Sequence, residues 1–182
     1  MYKNLIAVTN RHLVSGDFIK QIEKIATLGP ESLILREKDL SDGEYTALAL
    51  GVKEICEKKG VRFFVCGRID LARKIGCRNI HLSLPDFLSA GDLSDFANVS
   101  VSCHSLDDVK KAAGATRIIL GTIFPTECKK GHPGMGLDFL RQVCENTSLP
   151  VYAIGGIKEE NIKDVMNAGA KGGCMMSAFM KI

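Results

Sequence analysis

Residues 149–182 read LPVYAIGGIKEENIKDVMNAGAKGGCMMSAFMKI, and the fold turns on this stretch. Val151–Gly155 is a short, continuously apolar run of the kind that suits a parallel strand buried on both faces. Pro150 closes the connection before it. An amphipathic segment follows, and Gly169 falls where a helix should stop. Gly173–Met176 is a second apolar run, with only six residues after it. The last strand therefore carries a stunted helix or none.

The same alternation runs back to the N-terminus. Apolar runs at Leu5–Thr9, Leu33–Arg36, Arg62–Cys66, Asn79–Leu82, Val99–Ser102 and Arg117–Gly121 bring the strand count to eight. Helical faces lie between them: Phe18, Ile22, Ile25 and Ala26; Tyr45, Leu48, Val52, Ile55 and Cys56; Leu137, Leu140, Val143 and Cys144. Ser41–Glu44 and Ser105–Asp108 resemble capping boxes, with acidic residues at the positive ends of their helices, and Gly60 marks a helix stop. Strict β/α alternation implies a parallel sheet, either closed or doubly wound. The count of eight, with no Gly-x-Gly-x-x-Gly after the first strand, favours an α/β fold of the closed (β/α)8 TIM-barrel type. The chain is short beside the roughly 250 residues usual for that fold. No linker interrupts it, so residues 1–182 are expected to form one domain.

Composition narrows the function classes. Charged residues make up 25% and hydrophobic ones 46%, with a net charge of +3 and no basic block or tryptophan. That argues against a nucleic-acid partner. No apolar run approaches the roughly 20 residues that span a bilayer, and the N-terminus lacks a signal-peptide pattern. The seven cysteines are odd in number and contain no C-x-x-C pair. Free thiols in a reducing cytoplasm follow, without a disulfide framework or a zinc site.

Barrels of this kind build their sites at the strand C-termini, often with a phosphate held after strands 7 and 8. Gly155 and Gly156 would let backbone N–H groups approach an anion. Ser177 would open a short helix facing the same anion. Arg36 and Lys38, alternating along the second strand, would point away from Glu37 and grip phosphate oxygens. The longest connection, Thr122–Gly136, offers hydroxyls, two lysines and several glycines, a composition that suits a lid.

LREK at 35–38, GRIDLA at 67–72, IHLSLPD at 80–86, VSCHS at 101–105, GTIFPTECKKG at 121–131, AIGGI at 153–157 and MMSA at 175–178 occur in an order that resembles the thiamin phosphate synthase/TenI superfamily. The resemblance runs nearly end to end. It implies a thiamin-pathway barrel that binds a small thiazole phosphate. Synthases join that thiazole phosphate to an aminopyrimidine (hydroxymethylpyrimidine) diphosphate with Mg²⁺, whereas the TenI branch is associated with tautomerising a carboxythiazole phosphate. Arg36, Lys38, Ser102, Thr126, Lys129, Gly156, Met176 and Ser177 match family ligand-binding positions.

The other half departs from the synthase pattern. Ile34 stands at a glutamine position, and Cys66 and Gly67 replace an asparagine and a metal-binding aspartate. Asp86 is the remaining weak candidate for a second metal aspartate, and Cys128 replaces the second threonine of the lid. Mg²⁺ wants hard oxygen ligands, which a glycine side position cannot supply. These losses, with the Cys-Lys-Lys-Gly form of the lid, place the chain nearer the TenI-like branch, with no cofactor; Mg²⁺ enters only on the synthase reading. TenI-like tautomerases carry a histidine where Thr122 stands, and a hydroxyl cannot shuttle protons at neutral pH. His104, at the end of the fifth strand, is the candidate to replace it, since histidine ordinarily titrates near neutrality; the alternative is a structural or helix-capping histidine. The alternatives are a synthase with a degenerate metal site and a non-catalytic phosphate-ligand-binding regulatory barrel. Whether the chain works alone or as a homo-oligomer is not set by the sequence.

Overall fold

The computed structural model of the chain describes residues 2–126, 131 and 133–182. Eight parallel strands form a closed barrel in sequence order: β1 (Leu5–Val8), β2 (Ser32–Leu35), β3 (Arg62–Cys66), β4 (Asn79–Ser83), β5 (Asn98–Cys103), β6 (Arg117–Gly121), β7 (Val151–Ile154) and β8 (Gly172–Met175). Each is followed by a helix: α1 (Phe18–Leu28), α2 (Asp42–Lys59), α3 (Ile69–Lys74), α4 (Leu84–Ser89), α5 (Leu106–Lys111), α6 (Gly136–Glu145), α7 (Ile162–Asn167) and α8 (Ser177–Met180). The expected TIM-barrel fold is therefore correct, and α8 is stunted at four residues. Among the described residues no helix is long and apolar enough to cross a membrane.

The chain groups into two compact units. One comprises Met1–His81, Ser94–Ala97 and Met176–Ile182; the other comprises Leu82–Leu93 and Asn98–Met175. In the first unit, β1 pairs with β2 (Ala7 opposite Leu33), β2 with β3 (Ile34 opposite Phe64) and β3 with β4 (Cys66 opposite His81). Its core is Ile6, Ile22, Ile25, Leu33, Val52 and Phe64, all without solvent exposure. Each such side chain contributes about 1.5–3 kcal/mol of burial. The helices begin and end as their sequences dictate. Asp17 caps α1 by accepting the Lys20 N–H at 2.9 Å, and Gly29 ends it in the left-handed region. Ser41 and Glu44 form the expected reciprocal capping box on α2, which Gly60 terminates with φ +68°.

In the second unit, β5 pairs with β6 (Ser102 opposite Ile119), β6 with β7 (Gly121 opposite Ile154) and β7 with β8 (Ala153 opposite Gly173). Val101, Ile118, Leu120, Leu140, Val143 and Val165 fill its interior. The Ser105–Asp108 segment differs from the expected capping box. Ser105 Oγ does accept the Asp108 N–H at 3.0 Å, but the Asp108 carboxylate reaches one residue further back, to the His104 N–H at 2.7 Å. Helix capping thereby anchors the backbone of a residue at the end of β5.

Candidate functional site

The first unit carries the cations. β2 ends at Leu35, so Arg36 and Lys38 stand beyond the strand and their arrangement does not come from strand alternation. A polar anchor sets it instead. Glu37 turns inward, only 3% exposed, and its carboxylate accepts from Thr9 Oγ1 at 2.7 Å, from the Arg11 N–H at 3.0 Å and from the Arg11 guanidinium at 3.2 Å. Thr9, fully buried just past β1, accepts the Arg36 N–H on the same hydroxyl at 2.9 Å. Arg11 continues to Asp39, which His12 also reaches at 3.0 Å. Arg11 first and His12 second hold the Asp39 carboxyl well below the usual carboxylate range. Arg36 is left half-buried and Lys38 exposed, and neither pairs with a carboxylate among the described residues.

Tyr45 stitches the neighbouring strand ends. Its hydroxyl donates to the Leu35 carbonyl at 2.6 Å and accepts the Cys66 N–H at 3.2 Å, while Arg68 lies over its ring at 4.6 Å. Gly67 follows with φ +72° and donates its N–H to the His81 carbonyl at 2.9 Å. In the same unit, Ser177 is the exposed first residue of α8, and half-buried Met176 is the cap, with no side-chain capping bond.

The second unit carries a glycine turn and a histidine. Gly155 and Gly156 follow β7 with φ +99° and +65°. Both positions require glycine because the segment after β6 lies directly on them. A Cβ at Gly155 would come within 3.0 Å of Thr122 Cα, and one at Gly156 within 2.7 Å of Phe124 Cβ and 2.8 Å of the Pro125 carbonyl oxygen. The same segment is zipped to the turn by Ile123 N–H to the Ile154 carbonyl (2.9 Å) and Phe124 N–H to the Gly155 carbonyl (3.0 Å). Asn161 braces the turn from below, donating to the Gly156 carbonyl at 2.9 Å and accepting the Lys158 N–H at 2.8 Å. No described residue accepts from the Gly156 N–H.

The exposed His104 ring places Nδ1 against the Gly121 carbonyl. A carbonyl only accepts, so Nδ1 carries the proton and Nε2 is the nitrogen left to take one up. His104 and Thr122 are thereby brought to the same strand end. Ser102 and Thr126 are half-buried. Cys103 is buried, and burial pushes its thiol up to about 12, which removes it as a nucleophile. Met135 and Gly136 donate to the Thr122 and Ile123 carbonyls at 2.9 Å each, so the described stems of the long connection are pinned together. Lys129 and Cys128 lie outside the described residues.

The positions matching the family's metal site do not fit Mg²⁺. Cys66 and Gly67 offer a soft sulfur and no side chain, and Asp86 is occupied in capping α4, where it accepts the Ser83 hydroxyl at 2.6 Å. Among the described residues no three His, Cys, Asp or Glu side chains gather as a metal cluster. Sequence reasoning missed Thr9, Arg11, Glu37 and Asn161. The signal available was the polar Thr9-Asn10-Arg11 step directly after an apolar strand.

A family model described as thiamine monophosphate synthase matches residues 5–179. The chain is 36% identical to a thiamine-phosphate synthase of Alkaliphilus oremlandii, over 97% of this chain and 87% of that one. It is 32% identical to a thiamine-phosphate synthase of Clostridium botulinum (strain Kyoto), over 97% and 89%. Among solved structures it is similar to a thiamine phosphate pyrophosphorylase from Pyrococcus furiosus, with a TM-score of 0.86, 25% identity, and coverage of 98% of this chain and 89% of that one.

Proposed function

The chain belongs to the thiamine monophosphate synthase family, and on that premise we propose that it joins a thiazole phosphate to an aminopyrimidine diphosphate, the bond to the departing diphosphate breaking as the bond to the thiazole forms. The pair of unneutralised cations, Arg36 and Lys38, carries this reading, supported by the synthase names of its full-length relatives. Charge develops on the leaving diphosphate, and fixed cations stabilise it most where no protein carboxylate competes. Arg36 binds oxygens as a fork and Lys38 adds a point charge. Lys129 supplies a further cation in the role that the resemblance implies. The Gly155–Gly156 turn, with Ser102 and Thr126, takes the thiazole phosphate, and the resemblance assigns Met176 and Ser177 to ligand binding as well. On this reading the whole chain works as one domain in the cytoplasm. Because the Cys66–Gly67 step and Asp86 do not fit Mg²⁺, no step is assigned to the metal.

The test is mass-spectrometric detection of the coupled product from the two substrates, with and without Mg²⁺. Wild type should form product and Arg36→Met should lose at least tenfold, on the order of one charge-assisted contact. Absence of product under both conditions refutes the transfer.

His104 favours a second reading, a proton-transfer isomerase of the TenI type. Its Nδ1 contact with Gly121 fixes the tautomer and leaves Nε2 as a base. Exchange of the thiazole proton with deuterated solvent, followed by NMR, separates this activity from the transfer.

A further inference from the structure

We propose that Glu37 and Thr9 are positioning residues of the anion site, a hydrogen-bonded pair that holds the Arg36–Lys38 segment in place while keeping the intervening negative charge away from its two cations. The inference rests on the reading of Arg36 and Lys38 as diphosphate ligands and deepens it. Its basis is a continuous chain of bonds. The Arg36 N–H donates to Thr9 Oγ1 at 2.9 Å, and the Thr9 hydroxyl donates onward to Glu37 Oε1 at 2.7 Å. A threonine hydroxyl has one proton, so Glu37 dictates which way it points and frees its lone pair for the Arg36 amide. The Glu37 carboxylate is itself held by the Arg11 N–H and guanidinium, at 3.0 and 3.2 Å.

Electrostatics give the same arrangement a second consequence. Glu37 sits between two cations in sequence, and an exposed glutamate there would neutralise one of them. Buried at 3% exposure and paired with Arg11 at 3.2 Å, it does not. Arg11 is shared between the Glu37 and Asp39 carboxylates, and Arg36 and Lys38 have no carboxylate partner among the described residues. Pre-orienting a backbone this way lowers the ordering cost of ligand binding. Removing it should weaken anion binding without removing any group that touches the anion.

The probe is inorganic pyrophosphate, measured by titration calorimetry on the folded chain, with thermal unfolding followed in parallel. Thr9→Val is near-isosteric and removes the hydroxyl; Thr9→Ser restores it. Glu37→Gln keeps the shape and removes the charge. Thr9→Val and Glu37→Gln should each weaken pyrophosphate binding about tenfold, and Thr9→Ser should bind within about twofold of wild type. A purely structural role would lower the unfolding temperature and leave the Kd of the folded protein unchanged. That result for both variants, with Arg36→Met still abolishing binding, overturns the positioning inference alone. Wild-type failure to bind pyrophosphate, or binding indifferent to Arg36→Met, overturns the anion-site reading and this inference with it.

Discussion

Replacing Gly156 with alanine tests whether the turn after β7 is shaped for the segment above it. The backbone there has φ +65°, a conformation that costs an L-residue about 1–2 kcal/mol. The added methyl would lie 2.7 Å from Phe124 Cβ and 2.8 Å from the Pro125 carbonyl oxygen. Carbon contacts settle at about 3.5–4.0 Å, so the neighbours must retreat by roughly 1 Å. They cannot do so freely, because the Phe124 N–H is bonded to the Gly155 carbonyl at 3.0 Å and Asn161 holds the Gly156 carbonyl at 2.9 Å. Forced repacking of this kind costs about 1–3 kcal/mol. A total of about 3 kcal/mol lowers the melting temperature of a chain this size by about 6–12 °C. The assay is thermal unfolding followed by circular dichroism, with inorganic phosphate binding measured on the same protein below its transition. Binding should fall as well, since the Gly156 N–H moves with the turn. A drop of less than about 2 °C would refute the account of a turn clamped between Phe124, Pro125 and Asn161.

Burial holds the Cys103 thiol up near 12, so its neutral form persists until the pH approaches that value. At pH 8 only about one molecule in 10⁴ carries the thiolate. The Cys103 peptide of the native protein should therefore escape iodoacetamide at pH 8 and react after urea unfolding; stoichiometric native labelling would contradict it. If the protein tautomerises a thiazole phosphate, His104→Ala should remove most of the deuterium exchange, and Thr122→His should raise it by about 10². Brisk exchange indifferent to His104→Ala would assign the proton elsewhere. Calorimetry should find no tight Mg²⁺ binding in the absence of diphosphate, and micromolar affinity would overturn the donor-set argument.

The alternation of apolar runs and amphipathic segments determined eight parallel strands, and their count favoured the closed barrel that the structure shows. Eight parallel strands need eight buried apolar runs, and burial of that kind is written in the residues themselves. Strand ends came within one residue of the structure, as at Val151–Ile154, and α8 is four residues long. The glycine turn at Gly155–Gly156 was visible too, although the sequence suggested only anion approach. The close packing of Thr122, Phe124 and Pro125 on those glycines is a contact between segments some 30 residues apart, and only tertiary structure shows it. Within the family resemblance, the departures from the synthase pattern at Ile34, Cys66, Gly67 and Cys128 ranked the isomerase first, although Thr122 lacks the histidine an isomerase of that type carries, whereas relatives matched over nearly the whole chain favour the transferase. What the sequence alone did not contain is the anchor beneath the cations. Glu37 reads as one more charge in LREK, and Thr9 as the end of a strand. Their bond spans 28 positions and exists because β1 and β2 lie side by side in register, placing a hydroxyl at the end of one strand against a carboxylate just past the end of the other. Periodicity reports which face is buried; the partner a buried polar group finds depends on how the strands are paired.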